Sequence, residues 1–235
     1  MKESNLRTGL IGMNRAKHAA NMEKSMPAKN PDLHGNVPDS SPVALVLIDV
    51  ISDLEFDGGD KLLKHALPAA RRIAALKANA RKRRIPVIYA NDNFGRWRSD
   101  FRQVVEHCLV DGVRGQAIAE ILKPGPEDYF VLKPKHSAFY STTLDLLLQY
   151  LQAKRIVVTG LTGDMCVLFT AADAYLRDYE LTVPQDCVAS QSAAENRKAL
   201  QYIARVFKAD TRSSTSLDLG RLRRRKKLTT SGAQL

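Results

Sequence analysis

The sequence predicts a three-layer α/β/α domain built on a six-stranded parallel sheet. Short apolar runs of strand length alternate along the chain with longer segments of helical spacing. The short runs are apolar at consecutive positions rather than at alternate ones, which is typical of strands buried on both faces. Strands that alternate with helices are joined by crossover connections, and these place helices on both faces of a parallel sheet.

The first half of the domain supplies three of the strands. The run "PVALVLIDV" predicts the first strand, and a periodic segment with a basic end, as expected at a helix C-terminus, follows it. The stretch 93–128 is mixed and has one helical segment inside it. The predicted elements are strands at 42–50, 85–92 and 128–133, and helices at 60–84 and 115–123.

The second half completes the sheet. An amphipathic segment at 142–154 predicts a helix that Thr142 or Thr143 caps. The run "RIVVTG" predicts the fourth strand. The remaining predicted elements are strands at 179–184 and 206–210, and helices at 164–178 and 192–206.

The two ends of the chain differ in composition from the middle. We expect residues 1–41, which are polar and aperiodic, to form a flexible arm, residues 42–212 to form the folded domain, and residues 213–235 to form a flexible basic tail. The formal net charge is +11, and residues 220–235 carry six Lys/Arg and no acid. Such a run suits either a solvated end or a patch for polyanions. We expect the solvated end and no nucleic-acid partner.

Composition also indicates the compartment. No run of 18 apolar residues exists, so we expect no membrane span. The first residues have no apolar block typical of a secretory signal, and Glu3 and Glu23 argue against a mitochondrial presequence. Three cysteines with no C-x-x-C pair suit a reducing compartment, and we expect Cys108 and Cys187 to pack in the core. The prediction is a cytoplasmic homo-oligomer, a dimer or tetramer, that acts on a small molecule without a cofactor.

Polar residues end several of the predicted strands. Asp49 ends the first, Asn91 and Asp92 end the second, and Lys133 ends the third. Cys166 follows the fourth strand by one turn. Ligands of open parallel sheets bind beyond the carboxyl ends of the strands, so a carboxylate, an ammonium and a thiol are expected at one edge.

The position of Cys166 suits a reactive thiol. Free N–H groups and the positive dipole end of a helix lower the pKa of a thiol, and Lys133 would stabilise the thiolate further. Asp49 is then the group that accepts and returns protons. Gly160 and Gly163 permit backbone N–H groups to point at an oxyanion. Each residue alone has an ordinary structural interpretation, as a buried thiol, a turn aspartate or a solvated lysine, but the combination favours a catalytic site.

Three stretches of the sequence resemble the signatures of the isochorismatase-like cysteine hydrolases. They are "VLIDVISDLE" (46–55), "VLKPKHSAFYSTTLDLLL" (131–148) and "VVTGLTGDMCVLFTAADAYLRDYELTVPQDCVAS" (157–190). The resemblance covers about residues 43–210 and implies a Rossmann-like strand order 3-2-1-4-5-6. It also implies a catalytic triad of Asp49, Lys133 and Cys166.

The resemblance implies further features of the site. The peptide bond Leu161–Thr162 is expected to be cis, and the oxyanion hole is expected to consist of the backbone N–H groups of Thr162 and Cys166. Members of this family use aromatic residues near the substrate, so Phe139 and Tyr140 are candidates for the pocket wall.

The departures from the family pattern bear on the substrate. The first motif usually reads Asp-Met-Gln-Asn-Asp-Phe, but residues 49–54 read Asp-Val-Ile-Ser-Asp-Leu, which leaves the substrate open. The metal-binding nicotinamidase branch has histidines after the second strand, whereas none occurs here before His107, so we expect no metal. Members that hydrolyse the vinyl ether of isochorismate lack the cysteine, and the presence of Cys166 points to acyl chemistry.

The sequence alone leaves the roles of three other residues open. Trp97 follows the second strand and forms either a pocket wall or lid, or a pin that holds its loop to the core. His136 either reaches the site or is an exposed loop histidine. Lys135 competes with Lys133 for the active centre, but Pro134 makes continuation of the strand unfavourable, so we expect Lys135 to be solvated.

We therefore predict a cysteine hydrolase that cleaves a C–N bond of a small amide, ureide or carbamoyl substrate. The reaction is expected to pass through a Cys166 thiolate and a covalent acyl-enzyme. The alternative is a catalytically idle scaffold whose basic tail binds nucleic acid or an anionic surface. No G-x-G-x-x-G motif follows the first strand, which disfavours a dinucleotide-dependent oxidoreductase.

Overall fold

The computed structural model describes residues 40–93 and 100–224 of the 235-residue chain. Six strands form one parallel sheet, and helices cover it. The strands are β1 (Val43–Ile48), β2 (Val87–Asp92), β3 (Tyr129–Lys133), β4 (Arg155–Leu161), β5 (Glu180–Thr182) and β6 (Val188–Ala189). The helices are α1 (Gly59–Lys82), α2 (Phe101–Val110), α3 (Gln116–Ile121), α4 (Leu144–Tyr150), α5 (Leu168–Tyr175), α6 (Ala193–Val206) and α7 (Leu219–Arg224).

The six-stranded parallel sheet confirms the predicted fold class. Its strands follow the order β3-β2-β1-β4-β5, and every pairing is parallel. The expected order 3-2-1-4-5-6 is therefore correct over its first five positions. The sixth position differs, because β6 pairs with the end of β4 rather than with the far side of β5.

The sixth strand was expected at 206–210, and this assignment is wrong. Helix α6 continues to Val206, and the segment after it makes a single bridge between Asp210 and Thr182. Strand β5 has only three residues and pairs with the beginning of β4. The later residues of β4 therefore have a free edge on that side, and Val188–Ala189 pairs there with Gly160 and Leu161.

Burial explains why these segments form strands and helices. Strand β1 is apolar at all six positions, and all six are buried in the middle of the sheet. Helix α1 instead buries residues that recur every three or four positions, which is the helical period. The buried apolar side chains of α1 include Leu62, Ala66, Ala69, Ile73, Leu76 and Ala80.

Helix α2 was not predicted from the mixed stretch that contains it. The Asp100 side chain accepts a hydrogen bond of 2.9 Å from the Gln103 N–H and caps the helix. The helix buries Phe101, Val104 and Cys108. The predicted core positions of Cys108 and Cys187 are confirmed, because both side chains are buried.

The packed region extends past the boundary that was expected after residue 212. Leu217 and Leu219 are buried, and the Arg155 guanidinium donates to the Leu222 carbonyl oxygen over 3.4 Å. Helix α7 therefore belongs to the domain, although its basic composition resembles a tail. At the other end, Ser41 is buried, and its hydroxyl bonds the Val43 carbonyl at 2.7 Å. The rest of the predicted arm, 1–39, lies outside the described residues.

The helices of residues 40–93 and 100–224 include none that is both long enough and apolar enough to cross a membrane.

Candidate active site

The register of the sheet brings the strand ends together. Ile48, the last residue of β1, pairs with Ala90 on one side and with Gly160 on the other. Asp92 at the end of β2 pairs with Lys133 at the end of β3. The residues that follow these positions therefore meet at the carboxyl edge of the sheet, where open α/β folds bind their ligands.

Asp49 turns inward directly after β1. Its backbone has a φ of +49°, in the left-handed region that aspartate tolerates better than most residues. Its N–H still bonds the Ala90 carbonyl at 3.0 Å. One carboxylate oxygen accepts the Asp92 N–H at 2.7 Å, and the other lies 2.8 Å from the Lys133 ammonium. These bonds fix the direction in which the carboxylate points.

Lys133 lies at the centre of the site and is fully buried. Besides Asp49, its Nζ lies 3.7 Å from an Asp92 carboxylate oxygen and donates to the Lys135 carbonyl oxygen over 3.2 Å. Strand β3 lies two places from β1, so the lysine reaches sideways across β2. The Lys135 side chain is exposed. Lys133 and not Lys135 is therefore the lysine next to the aspartate.

Cys166 completes the cluster. Its Sγ lies 3.7 Å from the Lys133 Nζ and 3.8 Å from the His136 Nδ1, and the residue is partly exposed. The structure thus brings Asp49, Lys133 and Cys166 together from three separate segments of the chain.

The turn that carries Cys166 is a π-helical turn, Gly163–Val167, where an ordinary helix start was expected. The Thr162 carbonyl oxygen accepts N–H groups from Met165 at 3.2 Å and from Val167 at 3.0 Å. The second of these bonds spans five residues and defines the turn. Such turns are frequent at functional sites. The peptide bond Leu161–Thr162 ahead of the turn is cis.

Glycine is required where β4 meets this turn. Gly160 has a φ of +118°, and a Cβ there would overlap the Ile48 backbone. A Cβ on Gly163 would overlap the Asn196 side-chain oxygen and come close to the Ser190 hydroxyl. Gly160 therefore packs directly on β1, and the turn that carries Cys166 packs on the start of α6.

The electrostatics of the thiol differ from the sequence-based expectation. Burial raises the pKa of Cys166 to about 12, the negative charge of Asp49 adds to this, and Lys133 opposes it. Lys133 lowers the pKa as expected, but burial and Asp49 outweigh it, so the expected net lowering is wrong. The main physical reason is the burial of the sulfur, which disfavours the charged thiolate.

Burial also shifts the two charged partners of the thiol. Burial raises the pKa of Asp49, and Lys133 offsets only part of that rise. Burial works against the charge of Lys133, but Asp49 and Cys166 outweigh it, so the pKa of this lysine is raised. The site thus holds a permanent ammonium beside a carboxylate and a thiol that both retain protons more strongly than usual.

His136 belongs to the cluster, although the sequence left it open. The centre of its ring lies 5.7 Å from the centre of the Phe169 ring, and Phe169 follows Cys166 by one helical turn. Asp92 also takes part, through its backbone N–H to Asp49 and its carboxylate near Lys133. Two features of the sequence pointed toward these residues. Asp92 ends a predicted strand, and His136 follows Lys133 closely in the chain.

The three predicted pocket aromatics have different outcomes. Phe139 is buried, and its ring contacts the Tyr179 ring at 5.9 Å and the Arg177 guanidinium at 4.9 Å. These partners follow the C-terminal end of α5, the end opposite Cys166, so the ring packs away from the thiol. Tyr140 is exposed. Trp97 lies outside the described residues.

Within the described part of the chain, no three His, Cys, Asp or Glu side chains are grouped so that they could hold a metal ion.

Comparisons with known proteins identify relatives over most of the chain. The family model "Isochorismatase domain" matches residues 43–215. The isochorismatase family protein YaaI of Bacillus subtilis is 42% identical over 167 residues, which are 71% of this chain and 91% of YaaI. The ureidoacrylate amidohydrolase RutB of Methylorubrum extorquens is 35% identical over 77 residues, which are 33% of this chain and 31% of RutB.

A solved structure agrees with these relatives. N-carbamoylsarcosine amidase of Thermoplasma acidophilum superposes with a TM-score of 0.59 at 25% identity, over 75% of this chain and 98% of the amidase. The span of the family model contains Asp49, Lys133 and Cys166. The chain therefore belongs to the isochorismatase family, and it is a hydrolase.

Proposed function

We propose that this protein is a cysteine hydrolase that cleaves a C–N bond of a small amide, ureide or carbamoyl substrate. The observation that carries the proposal is the cluster at the sheet edge. A partly exposed Cys166 sulfur lies 3.7 Å from the buried Lys133 ammonium, which in turn lies 2.8 Å from the Asp49 carboxylate. A nucleophile, a cation and a base in mutual reach are what covalent acyl transfer needs.

The first half of the reaction forms the acyl-enzyme. Asp49 takes the thiol proton as the Cys166 sulfur attacks the carbonyl carbon of the substrate. The C–N bond then breaks, and the proton passes from Asp49 to the departing nitrogen. A base whose pKa is raised by burial suits both transfers, because it accepts the thiol proton more readily than an ordinary aspartate and still gives it up to the more basic departing nitrogen.

The negative charge that develops on the carbonyl oxygen of the substrate needs hydrogen-bond donors to stabilise it. We assign this role to the backbone N–H groups of Thr162, which directly precedes the turn Gly163–Val167, and of Cys166 within this nucleophile turn. The bonds of the Thr162 carbonyl to Met165 and Val167 support this assignment, because they hold the turn in one conformation before substrate binds.

The second half of the reaction releases the acid. A water molecule gives a proton to Asp49 and attacks the thioester carbonyl, the C–S bond breaks, and the Cys166 sulfur takes the proton back. Lys133 stays protonated throughout, since Asp49 and Cys166 raise its pKa against the effect of burial. Its positive charge stabilises the Cys166 thiolate whenever the thiol proton is absent.

The class of substrate is supported by the relatives. RutB is named as an amidohydrolase of ureidoacrylate, and a structural neighbour is named as an amidase of N-carbamoylsarcosine. Both names describe hydrolysis of small nitrogen-containing acyl compounds. We propose the same class for this chain.

We also propose that the enzyme works as a homo-oligomer, a dimer or tetramer, in the cytoplasm. Exposed apolar side chains along the nucleophile turn and α5, at Met165, Phe169 and Leu176, support association. The free state of Cys108, Cys166 and Cys187 supports a reducing compartment.

The direct test is a screen of small amides, ureides and carbamates for release of ammonia or amine. Turnover of at least one compound by the wild-type protein and none by Cys166→Ser supports the proposal. Iodoacetamide separates it from the idle scaffold, because Cys108 and Cys187 are fully buried and Cys166 is not. Selective labelling of Cys166 that abolishes turnover is expected. A labelled protein that still turns substrate over contradicts the proposal.

A further inference from the structure

We propose that His136 is a fourth catalytic residue of this site, which donates a hydrogen bond from its Nδ1 to the Cys166 sulfur and stabilises the thiolate as it forms. The inference rests on the proposed thiol chemistry and deepens it. The Nδ1 to Sγ distance of 3.8 Å is within the range of hydrogen bonds to sulfur.

The loop that follows β3 holds His136 in this position. Lys133 donates to the Lys135 carbonyl oxygen over 3.2 Å, which bends the chain back over the site directly before the histidine. The imidazole then rests against the Phe169 ring at 5.7 Å. Phe169 lies on α5, which follows directly on the turn that carries Cys166, so two consecutive elements hold the thiol and support the imidazole.

Lys133 and His136 approach the sulfur from different sides. Lys133 is fully buried and contacts the sulfur at 3.7 Å from the interior. His136 is an exposed residue and contacts it from the solvent side. A substrate also arrives from the solvent side, so the imidazole lies beside its path to the thiol.

The charge balance shows why a second donor is useful. Lys133 faces the carboxylates of Asp49 at 2.8 Å and Asp92 at 3.7 Å. When the Cys166 proton passes to Asp49, the thiolate and the Asp92 carboxylate still share one buried ammonium. The exposed Lys135 ammonium is the other cation of this loop. A protonated imidazole, or a neutral one that donates its N–H, reduces the excess negative charge at the sulfur itself.

Alkylation of Cys166 tests this without any substrate. The second-order rate constants for iodoacetamide at pH 8 are compared among the wild type, His136→Phe and His136→Gln. Phenylalanine keeps a ring against Phe169 but cannot donate, whereas glutamine keeps an N–H donor without a ring. His65→Gln is the matched control, because His65 is an exposed histidine on α1 outside the cluster.

We expect His136→Phe to react about tenfold more slowly than the wild type, as for loss of one charge-assisted hydrogen bond. His136→Gln should recover part of the rate, and His65→Gln should match the wild type. The pH at which the rate of His136→Phe reaches half its maximum should move upward, since its thiol keeps the proton longer. Circular dichroism spectra and melting temperatures of the variants confirm that they are folded.

A second reagent separates thiolate stabilisation from attraction of anions. Iodoacetate carries a negative charge and iodoacetamide does not. If His136 acts on the sulfur, the variants slow both reagents by the same factor. A loss confined to iodoacetate would show that the histidine binds anionic substrates instead, and it would overturn the proposal. Unchanged rates for both reagents in folded His136→Phe would also overturn it, whatever the outcome of the substrate screen.

Discussion

Cys166 lies next to a carboxylate and an ammonium, yet its surroundings favour the protonated thiol. Burial and Asp49 together outweigh Lys133, and the pKa of the thiol rises to about 12. A free thiolate is therefore not the resting state of this site. Transfer of the thiol proton to Asp49 as the sulfur attacks is consistent with this balance, because the pKa of Asp49 is raised as well.

Replacement of the buried lysine tests this balance. Lys133→Ala leaves the Asp49 carboxylate beside Cys166 without its 2.8 Å cation, so the pKa of both groups should rise further. We expect kcat/KM to fall by about 10³-fold, the size of the loss when a key electrostatic contact is removed. Lys133→Arg should restore little, because a planar guanidinium does not fit the space of a compact ammonium. Lys135→Ala is the control, and an equal loss in that variant would refute the assignment.

The pH dependence of kcat/KM follows from the raised pKa of Asp49. The base must be ionised to take the thiol proton, so activity is present above this pKa and is lost as the pH falls through it. Because burial raises the pKa above the ordinary aspartate value of 3.8, the acid limb should lie above the usual range of aspartates. In Lys133→Ala the limb should move to still higher pH. An acid limb at the ordinary aspartate value in the wild type would contradict this assignment of the base.

The sequence predicted the residues at strand ends better than those in loops. Asp49 and Lys133 could be placed at one edge because parallel strands fix where their carboxyl ends lie. His136 and Phe139 follow β3 in an irregular loop, so their directions depend on contacts with α5 and with the chain after it. No local pattern carries that information. The same holds for the pKa of Cys166, which burial and Asp49 decide.

At the scale of elements, the junction between β4 and the nucleophile turn limits substitution. Gly160→Ala adds a Cβ that overlaps the Ile48 backbone and forces alanine to a φ of +118°. We expect a loss of roughly 2–4 kcal/mol in the free energy of unfolding, measured by urea denaturation. Gly112→Ala is the matched control, because Gly112 also has a positive φ, +68°, but nothing lies within 4 Å of its Cβ. It should lose only about 1–2 kcal/mol, and equal losses would show that the overlap with Ile48 does not matter.

Apolar runs made β1 to β4 predictable, and β5 was found within the predicted segment 179–184, whereas other short or irregular elements were missed. Strand β6 has two residues, and its pairing arises only because β5 stops early. The turn Gly163–Val167 reads as ordinary helix in the sequence, since a π-helical turn differs by one hydrogen bond and not by composition. Helix α2 has a cap and an apolar face, but it is short and polar residues surround it.

At the scale of the whole molecule, the C-terminal boundary separates a packed helix from the basic run after it. Leu219 is 1% exposed, and it belongs to the main core. Leu219→Ala should reduce the free energy of unfolding by about 2–4 kcal/mol, the usual cost of truncating a buried leucine. Deletion of 225–235 should change it by less than about 0.5 kcal/mol and leave kcat unchanged. If the deletion alone abolished activity, the tail would have to contribute to the site.

In the proposed reaction, the whole molecule serves to present one thiol, that of Cys166, to a carbonyl carbon. The most direct test is the kcat/KM of Cys166→Ser on the best substrate from the amide, ureide and carbamate screen. Serine is nearly isosteric with cysteine, so the fold should persist, and the melting temperature checks this. We predict a loss of at least about 10³-fold relative to the wild type. A folded Cys166→Ser enzyme that retained activity within tenfold of the wild type would contradict covalent catalysis by Cys166.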